Sequence, residues 1–284
     1  MIKSYVKVWI LCVAVVGQCF VIGCGKDSDR THELLNAVLW VQTAAEYQAV
    51  CEQSFTLARV RLDEGLADPE WTAAVEQEPL KIELEKLPPA VICDVDETVL
   101  DNSEFDARLV ADGVEYSSDL WNDWVEQAIA PPLTGAQAFI AYARANGVHV
   151  FFVTNRKATS KDKTLANLRD AFGADISEDD LLCRGEIDEW TDDKTTRRLH
   201  LAGTHRIVLI LGDDLNDFIF FGTASPEKRT KLAHEHRGKW GTKWIIFPNP
   251  LYGSWEKSLY DYEVTLPHNK KLSRKYGAIN FQKQ

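Results

Sequence analysis

Two aspartates separated by one residue, Asp94 and Asp96, close a short apolar run in the stretch Ala90 to Asn102, AVICDVDETVLDN. Side chains two apart on a strand point the same way, so both carboxylates start on one side as the chain leaves a sheet. Two chemistries use such a pair. Hard Mg²⁺ takes oxygen ligands and is commonly held by one or two protein carboxylates plus a substrate phosphate. In covalent catalysis, one aspartate attacks a phosphoryl group while a neighbouring acid protonates the leaving oxygen.

The elements that must position these groups follow from hydrophobic spacing. Pro88 and Pro89 bound the apolar run on its left, which marks it as a buried strand. Further apolar strands are predicted over 148–153, 181–184, 206–211 and 244–247. Helices are predicted between them: one capped by Ser117 or Ser118, one over 135–146 capped by Thr134 and stopped by Gly147, one over 159–172 ended by Gly173, and one opening at Lys194. Strands alternating with helices predict a mostly parallel, doubly wound α/β sheet, whose ligands bind at the carboxyl ends of the strands.

Ahead of this core, residues 32–64 contain no Gly or Pro and carry apolar residues at helical spacing, predicting one long helix or two stacked ones. Asp68-Pro69 resembles an N-cap followed by proline at the first helical position, predicting a further helix through Ala74 and Val75. The predicted organisation is therefore a helical preface over 32–87, which could mediate dimerisation or merely cover the sheet, and a core over 88–284 with a helical insert at about 103–132. The insert carries Trp121 and Trp124, three apart on one helix face. Burial in the core explains such a pair; an aromatic lid over a bound base is the alternative for Trp121. The tail after Tyr262 is basic and is expected to be a solvated end.

Lys3 and Lys7 precede an apolar run ending Val21-Ile22-Gly23-Cys24, the layout of a secretory signal peptide over 1–23. The ending resembles a bacterial lipobox, which implies lipidation of Cys24, a tethered linker over 24–31 and a location in the cell envelope. Gly25 after the cysteine favours an outer-membrane address in a Gram-negative cell. Loss of the leader takes the formal charge from -11 to about -13. Such an acidic protein repels polyanions, which argues against nucleic acid as a partner. Cys51, Cys93 and Cys183 are too scattered for a disulfide framework or a zinc site, and Cys93 faces away from its neighbour Asp94.

Asp94-Val95-Asp96-Glu97-Thr98 resembles the first motif of the haloacid-dehalogenase-like (HAD) phosphohydrolases. The resemblance implies that Asp94 is the nucleophile and Asp96 the general acid/base. Downstream, Thr154 with Asn155 and Arg156 matches the second motif, Lys194 the third, with Arg184, Arg197 and Lys161 as rivals, and Asp213 with Asp217 the fourth. By that pattern Asp94, the Asp96 backbone carbonyl and Asp213 hold Mg²⁺, Asp217 supports them from behind, and Asp214 is expected to be exposed. Together with the lipobox, AEYQAVCEQSF, FFVTNR, GDDLNDF and PNPLYGSWE, the chain resembles the class C acid phosphatases, the bacterial lipoprotein 5'-nucleotidase family. That implies phosphomonoester hydrolysis on nucleoside monophosphates, nicotinamide mononucleotide among them, with Trp121 and Tyr252 sandwiching the base. A catalytically silent binding protein on this fold would be expected to lack a motif acid, and none is missing. A dehalogenase would not need Asp96, Asp213 or Asp217.

Overall fold

In the computed structural model, which describes residues 31–80 and 82–281, five strands form one parallel sheet. They are β1 (Pro89–Cys93), β2 (His149–Lys157), β3 (Leu181–Arg184), β4 (Arg206–Gly212) and β5 (Trp244–Ile246), in the order β3-β2-β1-β4-β5. The chain runs outward from β1 through β2 to β3, then returns to the other side of β1 for β4 and β5. Winding reverses beside β1, and in a parallel sheet this opens a crevice at the carboxyl ends of the strands. Ile92 at the centre of β1 stands opposite Phe151 on β2 and Ile210 on β4. The leader, Cys24 and the linker up to residue 30 lie outside the described residues.

Both sheet faces are covered. Val91 and Cys93 point into one core, and Ala90 and Ile92 into a second with Trp190 and Trp244. Burial on both faces explains why β1 and β4 read as unbroken apolar runs rather than alternating ones. The apolar period of the preface resolves into two helices, α1 (Leu35–Thr43) and α2 (Ala45–Ala67), parted at Ala44, whose ψ of 124° is extended. The insert after β1 forms α3 (Ser103–Asp112) and α4 (Ser118–Gln127), the latter capped by Ser117, whose hydroxyl accepts from Leu120 N at 3.2 Å. α5 (Ala136–Ala145) leads into β2, α6 (Lys161–Phe172) links β2 to β3, and α7 (Thr195–Ala202) links β3 to β4.

Two local expectations are overturned. Residues 68–80 form turns rather than a helix, because their polar groups bind the start of β4 instead of their own preceding turn. Ala73 N donates to Ile207 O at 2.7 Å, Trp71 Nε1 to Val208 O at 2.8 Å, and the Gln77 amide bridges Ala202, His205 and Ile207. Thr134 does not cap α5; its hydroxyl donates to Gln48 on α2, and Gly135, at φ +92°, takes the cap position. Beyond α8 (Pro226–Glu235) and the single turn α9 (Ser254–Lys257), the basic tail is mostly exposed, as expected of a solvated end, and its helix buries no residue. It forms α10 (His268–Ala278), where Lys275 pairs with Glu33, 2.8 Å away, and with Glu256.

Candidate active site

The turn after β1 is tight and inverted. Asp94 N still donates to Leu211 O across the sheet at 2.9 Å, and Val99 and Leu100 then both donate to Val95 O. Glu97 sits in the left-handed region at φ +56°, a conformation that costs a non-glycine residue of order 1 kcal/mol and needs surrounding contacts to hold it. The turn brings the Thr98 hydroxyl 3.5 Å from Asp94 Oδ2 and 3.4 Å from Asp213 Oδ1.

The end of β4 supplies the other wall. Asp214 caps a single 3₁₀ turn, Leu215–Asp217, and Asp217 folds back so that its Oδ2 accepts from Asp214 N at 2.9 Å. A Cβ on residue 212 would lie 2.3 Å from Asp217 Oδ2, so only glycine fits there. Asp214, expected to be exposed, is half-buried and accepts from both Ser254 N and Ser254 Oγ at 2.6 Å, tying this loop to α9. Asp213 Oδ2 accepts from Asn249 Nδ2 at 2.7 Å.

Lys194, at the N-terminus of α7, reaches into the gap between the two walls. It is 4% exposed, and its ammonium donates to Asp94 Oδ1 and, at 2.6 Å, to Asp217 Oδ1. Burial works against that charge, but Asp217 and Asp94 outweigh it and hold the ammonium above the ordinary lysine range. The rival cations are engaged elsewhere. Arg197 donates to Thr154 O and Asn155 Oδ1, Arg184 pairs with Asp192, and Lys161 pairs with Glu186.

Carboxylate oxygens of Asp94, Asp213 and Asp217 lie within 4.8 Å of one another. Burial pushes the Asp94 carboxyl up to about 7, with Lys194 opposing and Asp217 and Asp96 adding to the rise. Burial, then Asp217 and Asp94, likewise raise Asp213 well above the usual carboxylate range. One lysine leaves this cluster short of positive charge. Hard oxygen donors with uncompensated negative charge fit a divalent cation of the Mg²⁺ kind.

On the β2 side, Arg156 pairs with Asp96, Nη2 to Oδ1 at 2.7 Å. Thr154 is fully buried; its Oγ1 accepts from Arg156 N at 3.1 Å, which leaves the hydroxyl proton to donate. Thr154 does not line the cavity, whereas Asn155 and Arg156 do. The cavity measures about 530 Å³, with Asp94, Asp96, Lys194 and Asp213 lining it together with Trp121 and Tyr252. Phe220, Phe221 and Tyr262 add aromatic surface to the same wall. Neither they nor Glu97, Asn102, Asn249 and Ser254 were assigned roles from sequence. The aromatic run after the second acidic pair was the available signal for the phenylalanines.

The geometry is that of a phosphoryl-transfer site: a buried carboxylate beside a fixed ammonium, with further acids grouped at neighbouring strand ends. Comparison with known proteins agrees. Residues 28–255 match the family model described as HAD superfamily, subfamily IIIB (Acid phosphatase). The crystal structure of the class C acid phosphatase from Bacillus anthracis with tungstate bound is 33% identical and superposes with a TM-score of 0.77, covering 88% of this chain and 97% of that one. A second structure of the Bacillus anthracis enzyme is 32% identical, with the same coverage and TM-score. With the family match spanning most of the chain and the acids, lysine and aromatic walls gathered at one sheet edge, this protein belongs to the class C acid phosphatases of the HAD superfamily and is a phosphoric monoester hydrolase.

Proposed function

We propose that the enzyme is a Mg²⁺-dependent 5'-nucleotidase of the cell envelope, tethered by lipid on Cys24, that hydrolyses nucleoside monophosphates, including nicotinamide mononucleotide, through an aspartyl-phosphate. The observation that carries the reading is Asp94 held between Lys194 and the Asp213 side of the crevice, on the floor of a cavity walled by Trp121 and Tyr252.

Asp94 attacks phosphorus in line, and the departing sugar oxygen takes a proton from Asp96. Asp96, now a carboxylate, accepts a proton from water, which hydrolyses the phosphoryl-aspartate and frees Asp94. Lys194 orients Asp94 and offsets charge on the phosphoryl oxygens. Mg²⁺ held by the carboxylates of Asp94 and Asp213 and the backbone carbonyl of Asp96 would neutralise charge on the transferring group, with Asp217 behind them. Asn155 and Arg156 border the phosphate end of the cavity. The tungstate in the related enzyme is, like phosphate, a tetrahedral oxyanion, which supports an oxyanion site on this fold. Trp121 and Tyr252 would stack on the base.

Phosphate release from AMP, nicotinamide mononucleotide, ribose 5-phosphate and p-nitrophenyl phosphate, near pH 5 to 6 with and without Mg²⁺, tests the proposal. Metal-dependent release favouring the nucleotides is expected. Equal rates on all four would replace the nucleotidase reading with a broad-specificity phosphatase. Asp94→Asn is expected to abolish turnover, and retained activity would overturn the covalent mechanism.

A further inference from the structure

Asn102, at the mouth of the insert, is fully buried, and its amide is saturated. Its Oδ1 accepts from Trp124 Nε1 at 2.8 Å and from Arg156 Nη2 at 3.3 Å. Its Nδ2 donates to Asp96 Oδ1 at 3.0 Å and to Glu97 Oε1 at 3.1 Å. An indole N–H and a guanidinium can only donate, so the amide oxygen must face them and the amide has one orientation and cannot flip. The backbone adds a further tie, Asn102 N to Glu97 Oε1 at 2.8 Å.

The consequence for Asp96 is asymmetry. Its Oδ1 receives three donors: Arg156 Nη2 at 2.7 Å, Arg156 Nε at 3.0 Å and Asn102 Nδ2 at 3.0 Å. Among the described residues, its Oδ2 receives only a second, longer contact from Arg156 Nε, at 3.3 Å. An oxygen crowded by three N–H groups cannot also carry a proton without a clash, whereas Oδ2 can.

We propose that Asn102 is a positioning residue for proton transfer: with Arg156 it pins Oδ1 of Asp96 and leaves Oδ2 as the oxygen that carries the proton to the leaving group. In the balanced step, an Asp94 oxygen forms a bond to phosphorus and the phosphorus–ester oxygen bond breaks. The electron pair stays on the ester oxygen, which takes the proton from Asp96 Oδ2, giving a neutral alcohol and an Asp96 carboxylate. Trp124 on α4 acts through Asn102, so the insert that carries Trp121 also holds the acid in place. The proposal rests on the reading of Asp96 as the general acid.

The test is leaving-group dependence. A p-nitrophenolate leaves with little help, whereas a sugar alkoxide needs a proton. Values of kcat/KM, which report steps through phosphoryl transfer, are compared for AMP, ribose 5-phosphate and p-nitrophenyl phosphate in the wild type, Asn102→Ala, Trp124→Phe and Asp96→Asn. Positioned general acids contribute roughly 100-fold or more, so Asn102→Ala is expected to lose about that on both alkyl esters and several-fold at most on the aryl ester. Trp124→Phe, which removes one donor to Asn102 and keeps an aromatic ring, is expected to show the same selectivity with a smaller loss. Parallel losses on all three substrates would reduce Asn102 to a structural role and overturn the proposal. Loss on AMP alone would place its effect in base binding and also overturn it. Should Asn102→Ala fail to fold, Trp124→Phe decides between these outcomes. If Asp96→Asn shows no preference for the aryl ester, the reading of Asp96 itself fails, which is distinct from failure of Asn102 to act on it.

Discussion

Lys194 Nζ sits between Asp94 and Asp217, donating to Oδ1 of each, 2.6 Å from Asp217, although Lys194 lies 100 residues from Asp94 along the chain. Removing one partner from a buried ionic group is costly because the others stay buried without compensation. Lys194→Met is therefore expected to destabilise the fold by about 3 to 5 kcal/mol at neutral pH. Protonation of the abandoned carboxyls relieves that cost in acid, so the deficit should shrink toward pH 5. Urea melts at both pH values check this; an equal deficit at the two would show that the carboxyls are not the source. Turnover should fall by about 100-fold or more, as for other losses of electrostatic stabilisation.

Metal binding has a readout independent of turnover. A ligand bound only by the folded state stabilises it, by about 2.7 kcal/mol at 100 times its Kd. Mg²⁺ is expected to raise the melting temperature of the wild type, and Asp213→Asn should abolish that rise without unfolding the protein. An undiminished rise in the variant would move the cation site away from Asp213.

The two aromatic walls are held differently. Trp121 packs edge-on against Phe105 with ring centroids 5.1 Å apart, while the Tyr252 hydroxyl donates to buried Glu97. Stacking on an aromatic side chain is worth about 1 to 3 kcal/mol per base. Trp121→Ala and Tyr252→Ala should each raise KM for AMP correspondingly and change KM for ribose 5-phosphate far less. Equal changes on both substrates would remove the clamp. Tyr252→Phe, which keeps the ring but releases Glu97, should fall between the wild type and the alanine variant.

Asp106 on α3 predicts a pH-dependent stability unrelated to catalysis. It is 3% exposed, and its Oδ2 has no hydrogen-bond partner among the described residues. Burial, helped by the charge of Asp101, pushes its carboxyl up to about 7. Because the folded-state value lies above the unfolded one, the folded protein binds this proton more tightly. The stabilisation is complete below about pH 4 and is lost as pH rises toward 7. Asp106→Asn should flatten this part of the stability profile and stabilise the protein at pH 7.5, by up to about 4 kcal/mol. Chemical denaturation at pH 4.5, 6 and 7.5 measures the slope. Parallel profiles for wild type and variant would assign the pH dependence to other groups.

Much of the site was legible because its parts are local. Asp94 and Asp96 follow β1, Thr154 to Arg156 end β2, Asp213 to Asp217 follow β4, and each strand announces itself as an unbroken apolar run. A parallel sheet buried on both faces brings such strand ends to one edge, so spacing along the chain translated into proximity in space.

Pairing between elements could not be read that way. The Asp68-Pro69 signal for a helix lost to hydrogen bonds with β4, and Thr134 lost its cap to Gln48, because long-range partners outweigh local propensities of a few tenths of a kcal/mol to about 1 kcal/mol. The choice of Lys194 over Arg184, Arg197 and Lys161 depends on which helix end faces β1. The saturation of Asn102 depends on residues 22 and 54 positions away meeting at one amide. The sequence by itself determined which groups could do chemistry and the sheet edge where they gather. Only the tertiary structure decided which oxygen, amide and ammonium face one another, since a buried polar group takes its partners from whatever the packing of distant elements brings within about 3 Å.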